Sequence, residues 1–358
     1  MQAKTMIDLF AGVGGLSLGF EREGFKVVLA NEYDPSIAEA YIKNRDNPKM
    51  IVEDIRKLPV HETFGKYKGK VTVIVGGPPC QGYSQKGQRK TIHDERNFLF
   101  RYFVDVVREV NPEYFVMENV PNLLTSEGGY FKKELISLFE NLGYTVNADI
   151  LCASDYGVPQ DRRRAFVIGK KGIGNAVAMP CKHKKKTTIW EAISDLNFLN
   201  SGEGENEQAY RIEPQSEYQK QLRKGSQTLT GHVSTNHSKI ALERMSMIPP
   251  KGGKEYLPPE HLTKSIYSGT WERMDADDVS VTITTRFDTP ASGKFTHPYL
   301  NRAITVREAA RIQSFPDTFH FYGTKTSQMK QVGNAVPPLL AQCVAEAIVN
   351  DMKGKGEK

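Results

Sequence analysis

Three short stretches of the chain carry side chains able to do chemistry. In "VTVIVGGPPCQGYS" (71–84) a run of β-formers ends in two glycines, two prolines and Cys80. Strand exits of α/β sheets face a ligand crevice. The prolines fix the approach, while the following "QGYSQKGQRK" is polar, glycine-bearing and basic. The ordinary fate of a free cysteine is that of a small buried hydrophobe. This context instead predicts a nucleophile at the root of a loop. A thiol near its free pKa of about 8.5 is mostly protonated at neutral pH, so positive charge beside it would help it react. "MENV" (117–120) ends a further β-like run and brings Glu118 to the same edge. A strand-end glutamate alone reads as a solvated charge. Beside a strand-end cysteine it reads as the acid partner of a nucleophile, acting on one small planar substrate. Arg162, Arg163 and Arg164 then lead into another strand, where guanidinium groups offer contacts to anions or carbonyls.

A second constellation would hold a ligand. "DLFAGVGGLSLGF" (8–20) is a strand, a glycine turn and a helix start, and Gly12, Gly14 and Gly15 let the backbone turn tightly and approach a bound molecule. Glu32 ends the second strand, twenty residues after Gly12. An acidic residue there holds ribose hydroxyls in nucleotide-binding α/β folds. Ser17 stands where a dinucleotide fingerprint has its third glycine. The expectation is therefore an adenosine-type ligand, with Asp54 in "VEDI" placed to follow a third strand and reach an adenine amino group.

The elements needed to position these groups follow from the apolar pattern. Strands are predicted at 5–10, 26–32, 71–77, 114–120, 144–152 and 164–170, separated by helices such as 35–45, 97–110 and 130–143. Apolar strands spaced by helices argue for a mostly parallel sheet covered on both faces. After about residue 172 the texture becomes rich in Gly, Pro, Ser, Thr and charge, with a short β-like piece "VSVTITT" (279–285). Thr305 and Glu308 stand at capping-box spacing, and "PPLLAQCVAEAIVNDM" (337–352) reads as a closing amphipathic helix.

Composition sets the outer bounds. The chain has 358 residues, 39% hydrophobic and 25% charged, with a formal net charge of +6. The basic excess gathers in "KGQRK" (86–90), "DRRR" (161–164) and "KHKKK" (182–186). Such runs fit either a solvated face or a nucleic-acid surface. No apolar run of membrane-spanning length and no signal-type N-terminus is read, so a soluble cytoplasmic protein without a membrane partner is expected. The four cysteines, Cys80, Cys152, Cys181 and Cys343, form no C-x-x-C pair. Cys181-x-His183 lacks a second ligand pair, so no metal is expected.

Taken together, "DLFAGVGGLSLGF", "GGPPCQGYS", "ENV", "QDRRRAFVIG", "RAITVREAARIQSFPD" and "QVGNAVPPLLAQ" resemble the ordered motif blocks of the DNA cytosine-5 methyltransferases, of the bacterial restriction-modification type. The blocks span the chain from Asp8 to Gln342. The resemblance implies a class I S-adenosylmethionine-dependent methyltransferase fold, α/β and Rossmann-like, with a smaller loop-rich target-recognition domain. It divides the chain into a catalytic domain at 1–186 plus 327–358 and a target-recognition domain with hinge at 187–326, with specificity set within 187–300. It implies Cys80 as nucleophile, Glu118 as the group holding cytosine, and Arg162 and Arg164 as the two arginines of the Q-x-R-x-R block. Phe10, Gly12, Gly14, Gly15, Glu32, Tyr33, Asp54, Ile55 and Leu99 would line the pocket for S-adenosylmethionine, and Asn334 with Ala335 would complete it. The product would be S-adenosylhomocysteine and the partner double-stranded DNA. A cognate restriction endonuclease would share the target without a stable complex, and the enzyme would be a monomer. Glu53, where many relatives have glycine, and Asn97 depart from the pattern. A tRNA cytosine-5 methyltransferase of the same fold would carry Cys-Phe-Thr in its smaller domain, which is absent here. A catalytically silent DNA-binding regulator is disfavoured by the retention of Cys80, Glu118 and the arginines.

Overall fold

The structure is a computed structural model that describes residues 3–79, 99–183, 185–265 and 268–354. In chain order the strands are β1 (Thr5–Leu9), β2 (Lys26–Glu32), β3 (Met50–Val52), β4 (Val73–Gly76), β5 (Tyr114–Asn119), β6 (Tyr144–Cys152), β7 (Gln160–Asp161), β8 (Arg163–Lys171), β9 (Glu207–Gln208), β10 (Leu229–Thr230) and β11 (Ser280–Val281). The helices are α1 (Gly15–Arg22), α2 (Pro35–Lys43), α3 (Val60–Phe64), α4 (Leu99–Val110), α5 (Asn122–Thr125), α6 (Tyr130–Glu140), α7 (Ile189–Ile193), α8 (Glu217–Arg223), α9 (Lys239–Met247), α10 (Val306–Ile312), α11 (Lys325–Asn334) and α12 (Pro338–Gly354).

Two compact units divide the chain. The first comprises Met1–Cys152, Arg163–Lys182 and Pro338–Lys358, and the second Ala153–Arg162 and His183–Pro337. Residues 153–162, 183–186 and 327–337, grouped with the sheet domain in the sequence reading, thus fall within the second unit.

Among the described residues the first unit holds a seven-stranded sheet in the order β3-β2-β1-β4-β5-β8-β6. The pairs from β3 to β5 are parallel, and β8 runs antiparallel to both β5 and β6. The central strands are buried along nearly their whole length, as strands covered on both faces must be. Because β1 lies between β2 and β4, the chain reverses its direction of winding there, and the carboxyl ends of β1, β2, β4 and β5 meet one crevice. Helix α2 starts where its sequence says it should: Asp34 caps it through the Ser36 N–H at 2.9 Å, and Pro35 fills the first turn. The core below the sheet edge is aromatic, with Phe115 stacked on Phe139 at 3.9 Å and Phe103 and Tyr144 edge-on to Phe115. Helix α12 lies so close to α1 that a Cβ on Gly19 would come within 2.5 Å of Ala341 Cβ, which requires glycine there. Asp351 fixes its far end by accepting from Tyr114 Oη at 2.7 Å and Lys170 Nζ at 2.8 Å.

By length and mean hydropathy one helical stretch, Lys325–Gly354, does reach spanning dimensions, contrary to the sequence expectation. Asn334, Gln342 and Glu346 interrupt it, so no unbroken apolar run marks it in the sequence. Its apolar residues Leu340, Ala341, Val344, Ala345 and Ile348 are buried in the protein, the pattern of a core helix.

The second unit is held by buried charge more than by sheet. Arg302 makes two 2.7 Å bonds to Glu308, and Arg311 pairs with both Asp195 and Asp317. The expected capping box is present: Thr305 Oγ1 accepts from the Glu308 N–H, and the Glu308 carboxylate accepts from the Thr305 N–H. The expected strand 279–285 is reduced to Ser280–Val281. Its one partner, β7, is two residues long. Beyond it, the Ile283 N–H is satisfied by the Gln160 side chain at 2.8 Å, so no further ladder is needed.

Candidate active site

At the edge of β4 and β5 the first unit assembles a charged pair. Glu118 is the penultimate residue of β5, and in the antiparallel register it faces Phe166 on β8. Arg164 stands two residues along β8, on the same face and diagonal to Glu118. Its Nε lies 3.0 Å from Glu118 Oε1, with side chains only 17% and 12% exposed. Burial lowers the Arg164 pKa, and the Glu118 carboxylate works against that shift.

Strand β4 delivers its exit to the same place. The parallel register sets Gly76 beside Met117, so Gly77 lies next to Glu118. A Cβ on Gly77 would be 2.8 Å from Glu118 Oε2, and a Cβ on Gly76 would be 2.6 Å from the Leu9 carbonyl oxygen. The two glycines of "GGPPC" therefore do different work. Gly76 lets β1 and β4 close together, and Gly77 leaves room for the carboxylate. Pro78 is buried, and Asn119 Nδ2 donates to its carbonyl at 2.6 Å. The backbone is thus pinned up to the prolines. Cys80 itself lies outside the described residues, as do "KGQRK" (86–90) and Asn97.

The glycine turn after β1 forms the neighbouring part. Phe10 has a φ of 55°, a rare conformation for a bulky residue, and the Ala11 N–H donates to the Asn31 carbonyl at 2.9 Å. Glu32 is buried, and its carboxylate accepts from the N–H groups of Gly12 (2.9 Å), Tyr33 (3.0 Å) and Asp34 (2.9 Å). Burial raises its pKa, and those backbone donors oppose the rise. Gly12 has a φ of +56°, and a Cβ there would meet nothing within 4 Å. Front space of this kind beside a buried carboxylate suits a nucleoside.

Asp54 caps the following turn through the Arg56 N–H at 3.0 Å and pairs with the Arg56 side chain, whose hydrogen bonds lower its pKa. Ile55 is buried in the core, and Phe10 and Leu99 pack against that same core. Tyr33 is exposed. Phe10, Gly12, Gly14, Gly15, Glu32, Tyr33, Asp54 and Ile55 follow the carboxyl ends of β1, β2 and β3, and Leu99 opens α4.

Three expected site residues lie in the second unit. Asn334 ends α11 and Ala335 follows it. Arg162 is fully buried there, and it donates to the carbonyls of Ile283 (3.1 Å) and Gly333 (2.9 Å). Its guanidinium joins two backbone segments, whereas that of Arg164 meets a carboxylate. Sequence reasoning missed Gly77 and Asn119, although the doubled glycine of "GGPP" and the "EN" dipeptide were the available signals. Among the described residues no group of three or more metal-ligating side chains occurs.

A switch-point sheet with a glycine turn over a buried glutamate, and a Glu–Arg pair at the adjacent strand ends, defines a class I methyltransferase fold. The relatives narrow this to one family. Residues 4–350 match the C-5 cytosine-specific DNA methylases, and the chain belongs to that family. It is 38% identical over 348 residues to the Type II methyltransferase M1.HphI of Haemophilus parahaemolyticus, covering 96% of this chain and 86% of that protein. It is also 38% identical over 379 residues to the Type II methyltransferase M.DdeI of Desulfomicrobium norvegicum, with 96% and 88% covered. A solved prophage-encoded DNA modification methyltransferase of E. coli superposes with a TM-score of 0.79 at 29% identity, over 98% of this chain and 99% of that one.

Proposed function

We propose that the chain methylates carbon 5 of a cytosine flipped out of double-stranded DNA, within a short specific sequence, as the modification enzyme of a restriction-modification system. The observation that carries this reading is the Glu118–Arg164 pair, set beside the strand exit that leads through Pro78 and Pro79 to Cys80. The family uses S-adenosylmethionine, which supplies an electrophilic methyl group when bound. The open front of Gly12 and the buried Glu32 carboxylate fit its adenosine part. Phe10, Gly14, Gly15, Tyr33, Asp54, Ile55 and Leu99 would line the rest of that site, with Asn334 and Ala335 completing it.

Carbon 5 of cytosine is a weak nucleophile. The Cys80 thiolate adds to carbon 6 and makes the ring enamine-like, so that carbon 5 can accept the methyl cation. Glu118, taking up a proton as the base docks, donates it to ring nitrogen 3 and accepts from the exocyclic amine, so the charge that develops on nitrogen 3 is neutralised. Arg164 holds that carboxylate in place and can reach the ring carbonyl. Arg162 acts one step back, by fixing backbone. Once carbon 5 has four substituents, a base removes its proton and the Cys80 thiolate leaves, restoring the aromatic ring. Flipping the base costs a few kcal/mol of stacking and pairing.

The first unit is then the catalytic domain, and the second carries target recognition on its loops, within 187–300. The enzyme would act as a monomer in the cytoplasm. A restriction endonuclease reading the same target would work separately, without a stable complex.

The test is covalent trapping. With 5-fluorocytosine at the target, Cys80 adds and the methyl transfers, but carbon 5 holds fluorine in place of a removable proton. A slow band on a denaturing gel that requires S-adenosylmethionine, maps to Cys80 and is lost in Cys80→Ala is expected. Full methylation of DNA by Cys80→Ala, read by bisulfite sequencing, overturns the assignment.

A further inference from the structure

The two glycines at positive φ in the turn after β1 face different neighbours. Gly12 looks onto open space. Gly14, at φ +86°, has none: a Cβ there would lie 2.5 Å from Arg45 Nη2 and 2.6 Å from Tyr41 Cε2. Arg45 follows α2 and is nearly buried, with its side chain 8% exposed. Its guanidinium reaches the turn from behind, donating to the Gly14 carbonyl at 3.1 Å, the Val13 carbonyl at 3.5 Å and Ser17 Oγ at 3.1 Å. Glu21 on α1 holds the same guanidinium in a fork, Nε to Oε1 at 3.0 Å and Nη2 to Oε2 at 2.9 Å. The Tyr41 ring lies 3.8 Å from Arg45 Cζ as a platform, and Ser17 Oγ donates in turn to the Tyr41 hydroxyl at 3.3 Å. Beneath sits Asp8, 1% exposed, whose Oδ2 has no hydrogen-bond partner among the described residues. Burial pushes the Asp8 carboxyl up to about 7, and the Ser17 hydrogen bond and the Arg45 charge oppose that rise.

We propose that Arg45 is a positioning residue for cofactor binding, fixing the carbonyls of Val13 and Gly14 from behind so that the front of the turn keeps the shape a nucleoside needs. This rests on the reading of the Gly12–Gly15 turn as the S-adenosylmethionine site. Only a planar fork can serve Glu21 and the turn carbonyls together, and an ammonium cannot. The effect should therefore be selective. On that reading the turn serves the cofactor and not DNA, so cofactor and DNA affinities should separate.

Calorimetric titration of the whole protein with S-adenosylhomocysteine, gel-shift titration with target DNA, and steady-state kinetics in both substrates make the test. In Arg45→Met, S-adenosylhomocysteine affinity should fall at least tenfold and the KM for S-adenosylmethionine should rise accordingly. DNA affinity and kcat at saturating cofactor should stay within about threefold, and Arg45→Lys should recover only part of the loss. Unchanged S-adenosylhomocysteine affinity in Arg45→Met overturns the proposal, as does an equal fall in DNA affinity. Should Arg45→Met fail to fold, Glu21→Gln, which keeps the arginine but breaks the fork, must weaken S-adenosylhomocysteine selectively. Wild-type affinity in Glu21→Gln then overturns it. Folded wild-type protein that does not bind S-adenosylhomocysteine would instead refute the cofactor site itself, a separate result from any difference among the variants.

Discussion

Changing Glu118 to Gln tests whether the Glu118–Arg164 pair exists for stability or for chemistry. The substitution preserves shape and removes one charge. Exposed ion pairs contribute about 0–1 kcal/mol, and removing one partner of a fully buried pair costs about 3–5 kcal/mol. At 12% and 17% exposure this pair lies between those limits, nearer the buried one. The glutamine oxygen still accepts from Arg164 Nε, so a loss of about 1–3 kcal/mol in the first unit is expected. The rate should fall further in relative terms. A positioned acid contributes about 10²–10⁴-fold, which is about 3–5 kcal/mol of barrier. Removing both charges separates the two roles. In Glu118→Gln combined with Arg164→Met the unpaired guanidinium is gone, so stability should return to within about 1 kcal/mol of wild type while turnover stays low.

Gly77→Ala gives the complementary perturbation. The added methyl would lie 2.8 Å from Glu118 Oε2, the end of a flexible side chain, so the carboxylate moves and the fold hardly notices. Single-turnover methylation and urea unfolding are the paired assays. Near-normal turnover in Glu118→Gln, or in Gly77→Ala, would refute the reasoning. So would a double variant destabilised by the sum of its parts.

Three further outcomes follow from the geometry. Gly12→Ala should cost only about 1 kcal/mol in backbone strain, since no protein atom obstructs the methyl, yet it should weaken S-adenosylhomocysteine binding by calorimetry because the methyl occupies the ligand's space. Arg311→Leu removes the cation shared by Asp195 and Asp317, both fully buried, leaving Asp195 to Arg223 and Asp317 to Tyr210 and Arg307, so the second unit should lose about 3–5 kcal/mol in urea unfolding. In the same unit burial lowers the His232 pKa from 6.5 to about 4 and that of His297 to about 3. The unfolded chain therefore binds more protons below pH 6.5, and stability should fall with acidification from there toward about pH 4, by up to about 1.4 kcal/mol per pH unit for each imidazole. His232→Gln should reduce that slope in urea titrations run at several pH values.

The parts of the site legible in the sequence are those built within one strand and its exit. The runs at 71–77 and 114–120 gave β4 and β5, and their ends bring Glu118 and the approach to Cys80 together because parallel neighbours finish at the same edge. Glu32 was legible for the same reason, its distance from Gly12 being that of one strand–helix–strand unit. Pairings between distant segments left no such trace. Nothing in "DLNF" or "FPDT" indicates that Asp195 and Asp317 share Arg311. Arg45 reads as one more surface charge at the end of an amphipathic helix, and only its packing against Gly14 reveals otherwise. The β-rich composition of 279–285 failed as a signal because a strand needs a partner of equal length, and β7 supplies two residues.

The arginine block shows most sharply where local reading stops. Arg162 and Arg164 are two residues apart, the spacing that puts both side chains on one face of an extended chain. The sequence therefore gives them one role. The structure gives them two, because the chain passes from one compact unit to the other between Arg162 and Arg163. Before that point the guanidinium is fully buried and donates to the Ile283 and Gly333 carbonyls, where a Cβ on Gly333 would come within 2.2 Å of the Thr284 carbonyl oxygen. After it, the strand is paired on both sides by β5 and β6, and Arg164 aims its Nε at the strand-end carboxylate while Nη1 donates to the Arg163 carbonyl. A lysine in place of Arg162 could satisfy one of those carbonyls and would leave the other without its donor, so the fold of the second unit requires arginine there. A lysine in place of Arg164 would keep the charge facing Glu118 and lose the directed Nε bond, so there the requirement is one of aim. Identical side chains at one spacing are thus demanded for unrelated physical reasons.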